Sequence, residues 1–446
     1  MKDFFLRRFP LGREFYIVQI TAALNSIGLR CMQFALAWWV LAITNDPKVF
    51  SIFVAVALGA DILARGGLGW MGDIYRKEIL IGICYFISFL ASFIILIISS
   101  IGNYVFVLLF LCQALIGFSV GLREPIQSSI IVALVDKNRL AEAIRWRAII
   151  LTSVGLISPL FATLLISYIN SIGAMCVGTL ITLMSLLLIV TIKNKKDNRR
   201  EAKGVYKFYV NVKWYDGVRI VLRLPPEISM IKIMFAVNLG LFSIFSFILP
   251  VYFQKNFPQS PWILGLVEGV FAMGVFLGAA TINEKLTLLL GRANATFVGL
   301  VLIGGGVLFS ALLSLYLIEL LYWYFTLFCL GFLFVGIGIS IITINTNFLR
   351  TVSTPKNYLN RVNSAALFCS GLFAPIGVIF LGWALMFFDI FLIFICIGVV
   401  MLVTSILAYN NSVVRDFLSL PDAEIYDVYS IRYSDVFIVS DDELDK

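Results

Sequence analysis

The chain has 446 residues, 61% of them hydrophobic and only 13% charged, about half the roughly 25% that keeps a soluble domain wetted. A water-facing surface cannot be built from that composition, so a soluble enzyme is excluded and lipid is the expected solvent. The net charge is +8 with no histidine at all, which removes the commonest metal ligand and the commonest general base and leaves proton chemistry to carboxylates.

The N-terminus, Met1 to Gly12, carries Lys2, Arg7 and Arg8 before an apolar run far longer than a signal peptide's short core, with no small-residue cleavage site after it, so the first helix is retained. A bilayer helix needs roughly 20 apolar residues, and stretches of that length recur from Phe15 to Tyr409. They predict helices at 15–44, 49–70, 79–99, 104–134, 141–168 and 172–192. After a polar connection they resume at 228–253, 262–282, 293–317, 320–349, 362–387 and 389–409. The expected fold is therefore all-α and membrane-embedded, with an N-terminal six-helix bundle over 1–192, a linker over 193–227, a C-terminal six-helix bundle over 228–409 and an acidic tail over 410–446.

Lys and Arg set the orientation, because cytoplasmic segments retain them. With the N-terminus inside, 29 of the 34 fall in or beside cytoplasmic segments, ten of them between Lys193 and Arg223. Both chain ends are then cytoplasmic. The linker interleaves its bases with Tyr206, Phe208, Tyr209, Trp214 and Tyr215, which suits an anionic leaflet and reads as a topology anchor, not a nucleic-acid surface. The tail turns acidic at Asp422, Glu424, Asp427, Asp441, Asp442, Glu443 and Asp445 and reads as a mobile extension. All seven cysteines stand singly within apolar stretches, which suggests neither a disulfide framework nor a thiolate metal site. No metal or cofactor is expected.

The halves repeat. Gly155-Leu156-Ile157-Ser158-Pro159 in the fifth helix is echoed by Gly371-Leu372-Phe373-Ala374-Pro375 in the eleventh, and Gly117-Phe118 in the fourth by Gly331-Phe332 in the tenth. Echoes on corresponding helices predict a duplicated bundle, with Gly155, Pro159, Gly371 and Pro375 serving close packing or bending.

Charges inside the helices carry the chemistry. An unpaired charge at mid-bilayer costs roughly 2.5 to 3.5 kcal/mol, so such groups face protein or water and mark function. At about 1.5 Å per residue, Arg30 and Asp61 both reach the midplane, and Arg65 follows Asp61 by four on the same helix face. An Arg30, Asp61, Arg65 cluster is expected, either for transport or as an ion pair welding helices one and two. Arg123 and Glu124 precede Pro125, where the fourth helix is expected to kink, and point about 100° apart, one toward a cleft and one toward a neighbour. Glu268 stands alone in helix eight, where desolvation favours its neutral form and makes it a proton carrier, or else an interfacial acid wetted from outside. Asn25, Gln33, Gln113, Asn238 and Asn345 either line the cleft or bond neighbouring helices.

The loop Gly69-Trp70-Met71-Gly72-Asp73-Ile74-Tyr75-Arg76-Lys77 resembles the G-x-L-A-D-R-x-G-R-K motif of the major facilitator superfamily. The resemblance implies a cytoplasmic latch at Gly69, Asp73, Arg76 and Lys77, weakened because Ile74 stands where the family has Arg and Arg76 where it has Gly. Pro125-Ile126-Gln127 with Leu134 through Ala143 is similar to the transmembrane secretion effector branch, which includes macrolide and enterobactin-type exporters. Asp216-Gly217-Val218-Arg219, Leu249-Pro250-Val251 and Asn360-Arg361-Val362-Asn363-Ser364 follow that branch in the same order. Two departures stand out: Gly28-Leu29-Arg30 replaces a mid-membrane Gly-Asp, and Ser158-Pro159 with Ala162-Thr163 replaces the Gly-Pro and Gly-Gly of antiporters.

The resemblance implies a monomeric carrier of the bacterial inner membrane that works by alternating access, coupling export of a small amphipathic drug or siderophore to an ion, H+. Lysophospholipid flipping and solute uptake are alternatives on the same fold. A membrane-embedded enzyme would need a nucleophile with its base or an acid-rich metal motif, and neither is visible. A nontransporting receptor is the remaining class.

Overall fold

The computed structural model describes residues 11–68, 75–102, 105–135, 139–192, 216–316, 321–355, 358–421 and 424–437. Ten of its helices are long and apolar enough to cross a membrane, and two of those, Arg145–Ile189 and Trp262–Leu313, have room for two crossings. Each has one residue of left-handed or otherwise non-helical backbone, Asn170 (φ 62°) in the first and Gly291 (φ 79°) in the second. Asn and Gly are the residues that adopt positive φ at least cost, and Asn170 also accepts the Gly173 N–H at 2.9 Å through Oδ1. Counted across these breaks, the described residues hold twelve spans.

Spans 1 to 4 are Arg13–Thr44, Pro47–Leu68, Lys77–Ile101 and Phe106–Leu134. Spans 5 and 6 lie on either side of Asn170, at 140–169 and 171–189. Span 7 is Pro225–Asn256, with a π-helical turn at Ile244–Ile248. Pro250 has no N–H for the Ser246 carbonyl, and the widened turn just before it absorbs that missing bond. Spans 8 and 9 lie at 262–290 and 292–316, with a second π-helical turn at Gly278–Ile282. Span 10 is Leu321–Ser353. Span 11 is broken into Leu359–Gly371 and Ala374–Ala384, Pro375 opening the second piece, and span 12 is Ile390–Asn410. Span 4 stays helical through Pro125.

The chain divides into two compact units. The first holds 1–207 with 249–269, the second 208–248 with 270–446. The corner between spans 7 and 8 thus belongs with spans 1 to 6, whereas the sequence alone suggests a simple division at the linker.

Lipid offers no hydrophobic drive for one helix to prefer another, so close approach and hydrogen bonds hold each unit together. In the first unit, a Cβ on Gly28 would stand 2.8 Å from the Gly178 carbonyl oxygen, and one on Gly178 would stand 2.8 Å from that of Gly28, so spans 1 and 6 touch backbone to backbone. Spans 2 and 4 cross in the same way at Gly117 and Gly121, one turn apart. Ser88 and Ser119 share a hydrogen bond of 2.6 Å between spans 3 and 4. In the second unit, Gly299 and Gly338 bring spans 9 and 10 together backbone to backbone. Asn345 donates to Thr296 Oγ1 at 3.2 Å, and Asn238 of span 7 donates to the Ser370 carbonyl of span 11 at 3.3 Å. These two bonds, and the two of Asn25 described below, link helices within a unit.

Composition suggests a mobile tail, but residues 411–421 and 424–437 are packed. The helix Ser412–Leu418 is capped by Asn411, whose Oδ1 accepts the Val414 N–H at 3.2 Å, and it rests on spans 7, 9, 10 and 12. Val414, Phe417, Leu418, Ile425, Val428, Tyr429 and Phe437 are buried. A short helix, Val428–Arg432, follows Asp427, whose positive φ of 50° turns the chain so that its N–H donates to the Val352 carbonyl at 3.1 Å. Charge count alone hides these apolar anchors.

Candidate functional site

Charged groups gather in the first unit on spans 2 and 4. Arg65 grips Asp61 with two hydrogen bonds, Nε to Oδ1 at 2.7 Å and Nη2 to Oδ2 at 3.0 Å. The i,i+4 spacing on one helix face makes this pair local. The remaining Nη1 of Arg65 forms an ion pair with Glu124 across to span 4. The crossing at Gly121 allows this, because its absent side chain lets span 4 lie against Asp61. Arg30 does not join them. It donates to Gln33 on its own helix at 3.1 Å, and among the carboxylates it is Glu268 that it influences. Replacing Arg65 with Lys is expected to lower stability nearly as much as Arg65→Gln, because one ammonium cannot occupy three positions of a guanidinium fork. Thermal unfolding in detergent measures this, and full retention by the Lys variant would contradict the geometry.

Arg123 points away from its neighbour Glu124, into the interior of the first unit, and is 6% exposed. Its Nη1 donates to Asn25 Oδ1, and the other end of that amide donates to Ser185 Oγ at 3.1 Å. Its guanidinium lies 5.8 Å from the centre of the Tyr85 ring. Tyr85 in turn receives a hydrogen bond at its hydroxyl from Gln127 at 2.9 Å. Arg123 Nε has no hydrogen-bond partner among the described residues. Arg147 of span 5 enters the same neighbourhood by donating to the Gln127 carbonyl at 2.8 Å, and Glu124 and Arg123 both act on its charge. Asp61, Glu124, Arg65, Arg123 and Arg147 together leave one positive charge in excess. Sequence reading missed Arg147 because a base at the start of a helix looks like a topology signal.

Glu268 of span 8 is 7% exposed. Among the described residues its carboxyl makes no hydrogen bond or salt bridge, and Arg30 is the charged group that acts on it. Its helix lies close to span 5. A Cβ on Gly265 would stand 2.7 Å from the Pro159 carbonyl oxygen, and one on Gly269 would stand 3.6 Å from that of Leu156. The small face of span 5, around Pro159 and Thr163, therefore receives Gly265 and Gly269. Gly155 is not part of the contact, since a Cβ there would meet nothing within 4 Å among the described residues. Gly371 and Pro375 flank the break in span 11 at Leu372 and Phe373.

Gly69 and Asp73 of the expected latch lie outside the described residues. Arg76 and Lys77 open span 3, where the Arg76 carbonyl accepts the Leu80 N–H at 3.1 Å. Among the described residues no three Cys, Asp or Glu side chains gather as a metal site.

The model of the Major Facilitator Superfamily matches residues 19–378. No curated protein sequence matches the chain. Among solved structures, the nucleoside transporter NupG is similar with a TM-score of 0.66 at 14% identity, covering 90% of this chain and 100% of that one. A bacterial homologue of the iron transporter ferroportin, in an inward-facing state, is similar with a TM-score of 0.66 at 17% identity, covering 92% and 99%. The POT family transporter PepTSo also has a TM-score of 0.66, at 12% identity, covering 90% of this chain and 98% of that one. At such identities these likenesses speak for the fold alone. With twelve spans in two helical units and a family model that matches most of its length, the chain belongs to the Major Facilitator Superfamily and is a secondary transporter, not an enzyme.

Proposed function

We propose that this carrier exports a small amphipathic organic compound bearing an anionic group, by alternating access, with a proton moving inward on Glu268. The observation that carries the reading is the Glu268 carboxyl, nearly buried, without a hydrogen bond among the described residues and under the influence of Arg30. Charge is costly there unless it is matched, so the group gains by cycling between a neutral form and one matched by a cation. Asp61 suits that task less well, because both its oxygens are held by Arg65. Arg123, buried with one donor unused among the described residues, and the single excess positive charge around it support an anionic moiety on the substrate. The chain ends and the linker lie on the cytoplasmic side in this reading, as the bias of Lys and Arg requires.

Proton flux in proteoliposomes, driven by an outward substrate gradient, tests the assignment. Glu268→Gln is expected to lower substrate-coupled proton movement at least tenfold while leaving substrate exchange measurable, and Asp61→Asn to lower both. Normal coupling in Glu268→Gln would remove the residue from the mechanism. A family of compounds retained inside deletion cells and absent from their medium would establish export. The reverse distribution would favour uptake, the reading held second.

A further inference from the structure

The second unit contains a buried network that the transport reading does not use. Glu227, at the start of span 7, is 0% exposed, and Arg350, at the end of span 10, is 4% exposed. Arg350 Nε donates to Glu227 Oε2 at 2.9 Å, and Arg350 Nη1 donates to Asn347 Oδ1 at 3.4 Å. The other oxygen of Glu227 accepts the hydroxyl of Tyr429 from the tail, also at 2.9 Å. The Tyr429 ring stacks on Phe417 of the preceding tail helix, with centroids 5.3 Å apart and planes within 8°. Burial pushes the Tyr429 phenol well above its ordinary range, with Glu227 adding to the shift, so it remains a donor. A segment 202 positions distant in sequence thus completes the hydrogen bonding of a buried ion pair between two spans.

Beyond this anchor the tail reaches the start of span 11. Tyr358, immediately before that span, donates its hydroxyl to the Phe437 carbonyl at 3.3 Å, and their rings lie 5.1 Å apart. The start of the same span also meets the linker helix Asp216–Arg223, where a Cβ on Gly217 would stand 2.7 Å from the Arg361 carbonyl oxygen. The first half of span 11, Leu359–Gly371, is therefore contacted at its start by both linker and tail. At its far end it is separated from the rest of the span by the break at Leu372 and Phe373.

From this arrangement we infer that the tail is a conformational strap. Anchored by Tyr429 on the Glu227–Arg350 pair, it holds the first half of span 11 in place through Tyr358, and its release frees that half to swing about the break and changes the transport rate. The inference rests on the carrier reading for its effect on rate, but not for its effect on span 11.

Two full-length variants test it. Tyr429→Phe removes the anchoring hydroxyl, and Phe437→Ala removes the ring contact with Tyr358 while leaving the buried pair intact. Hydrogen–deuterium exchange in nanodiscs is expected to rise at least tenfold in peptides covering 359–371 for both variants, with spans 9 and 12 unchanged. Labelling of the native thiol Cys369, which is partly accessible, is expected to quicken in parallel once Cys176, Cys329 and Cys396 are replaced by Ser. Substrate flux is expected to change at least threefold in the same variants. Exchange that rises equally throughout the second unit would make the tail a general structural element and overturn the strap, as would unchanged exchange at 359–371. Absence of flux with the unaltered protein would instead fail the carrier reading, and the exchange result would stand by itself.

Discussion

A single methyl group added at Gly121 is expected to destabilise the protein measurably, whereas the same change at Gly155 is not. A Cβ on Gly121 would stand 2.7 Å from Asp61 Oδ1 and 2.9 Å from the Asp61 carbonyl carbon, and one on Gly117, a turn earlier, would stand 2.9 Å from the carbonyl carbon of Ala57. These neighbours are mostly backbone, which cannot rotate away, so spans 2 and 4 must separate. Overpacking of this kind costs about 1–3 kcal/mol, and contact with backbone places Gly121→Ala near the upper end. At roughly 2–4 °C per kcal/mol for a unit of this size, the thermal midpoint in detergent falls by about 6–10 °C. The Gly155→Ala control meets open space among the described residues and gains helix propensity of up to about 1 kcal/mol. Equal shifts in the two variants would mean that spans 2 and 4 do not cross as described. The substitution also displaces Asp61, so the Arg65 pairs with Asp61 and Glu124 loosen together, and a double variant with Arg65→Gln should lose less than the sum of its parts.

Hydropathy made the spans legible because lipid imposes one rule on every residue facing it. The breaks at Asn170 and Gly291 fall in the gaps expected near 168–172 and 282–293. What hydropathy does not carry is the rotation of each helix about its axis. Asp61 and Arg65 could be joined from their spacing alone, but Glu124 enters through a crossing set by Gly121, and Arg30 faces Gln33 instead of the cluster. Glycine echoes likewise mark corresponding helices but not corresponding contacts. Gly117 marks a contact with span 2, while Gly331 lies against Gly306 and Ser310 of span 9, and the contact corresponding to that of Gly117 is made by Gly336 with span 8. A glycine in apolar sequence announces close approach without naming the partner. The tail was hidden differently: its acids dominate the composition, whereas Phe417, Ile425, Val428 and Tyr429, spaced among them, bury the chain.

Arg350→Met should have the largest effect of any single change in the second unit. It strands the Glu227 carboxylate, 0% exposed, with the Tyr429 hydroxyl as its remaining hydrogen bond among the described residues. Removing one partner of a buried ion pair costs about 3–5 kcal/mol, enough to lower the thermal midpoint by about 10 °C or more or to cut the yield of folded protein sharply. Adding Glu227→Gln should recover much of the loss, because an amide oxygen can still accept from Tyr429 and no charge is left buried. A fully apolar replacement, Glu227→Leu with Arg350→Met and Tyr429→Phe, removes every stranded group, and such exchanges are often neutral or stabilising by about 1–4 kcal/mol. If that triple variant is as stable as the unaltered protein yet shows faster exchange at the start of span 11, the polar network serves to place the tail and not to hold the unit together. If the triple variant stays as unstable as Arg350→Met alone, packing around Arg350 outweighs its charge, because the guanidinium stem itself fills the space between spans 7 and 10.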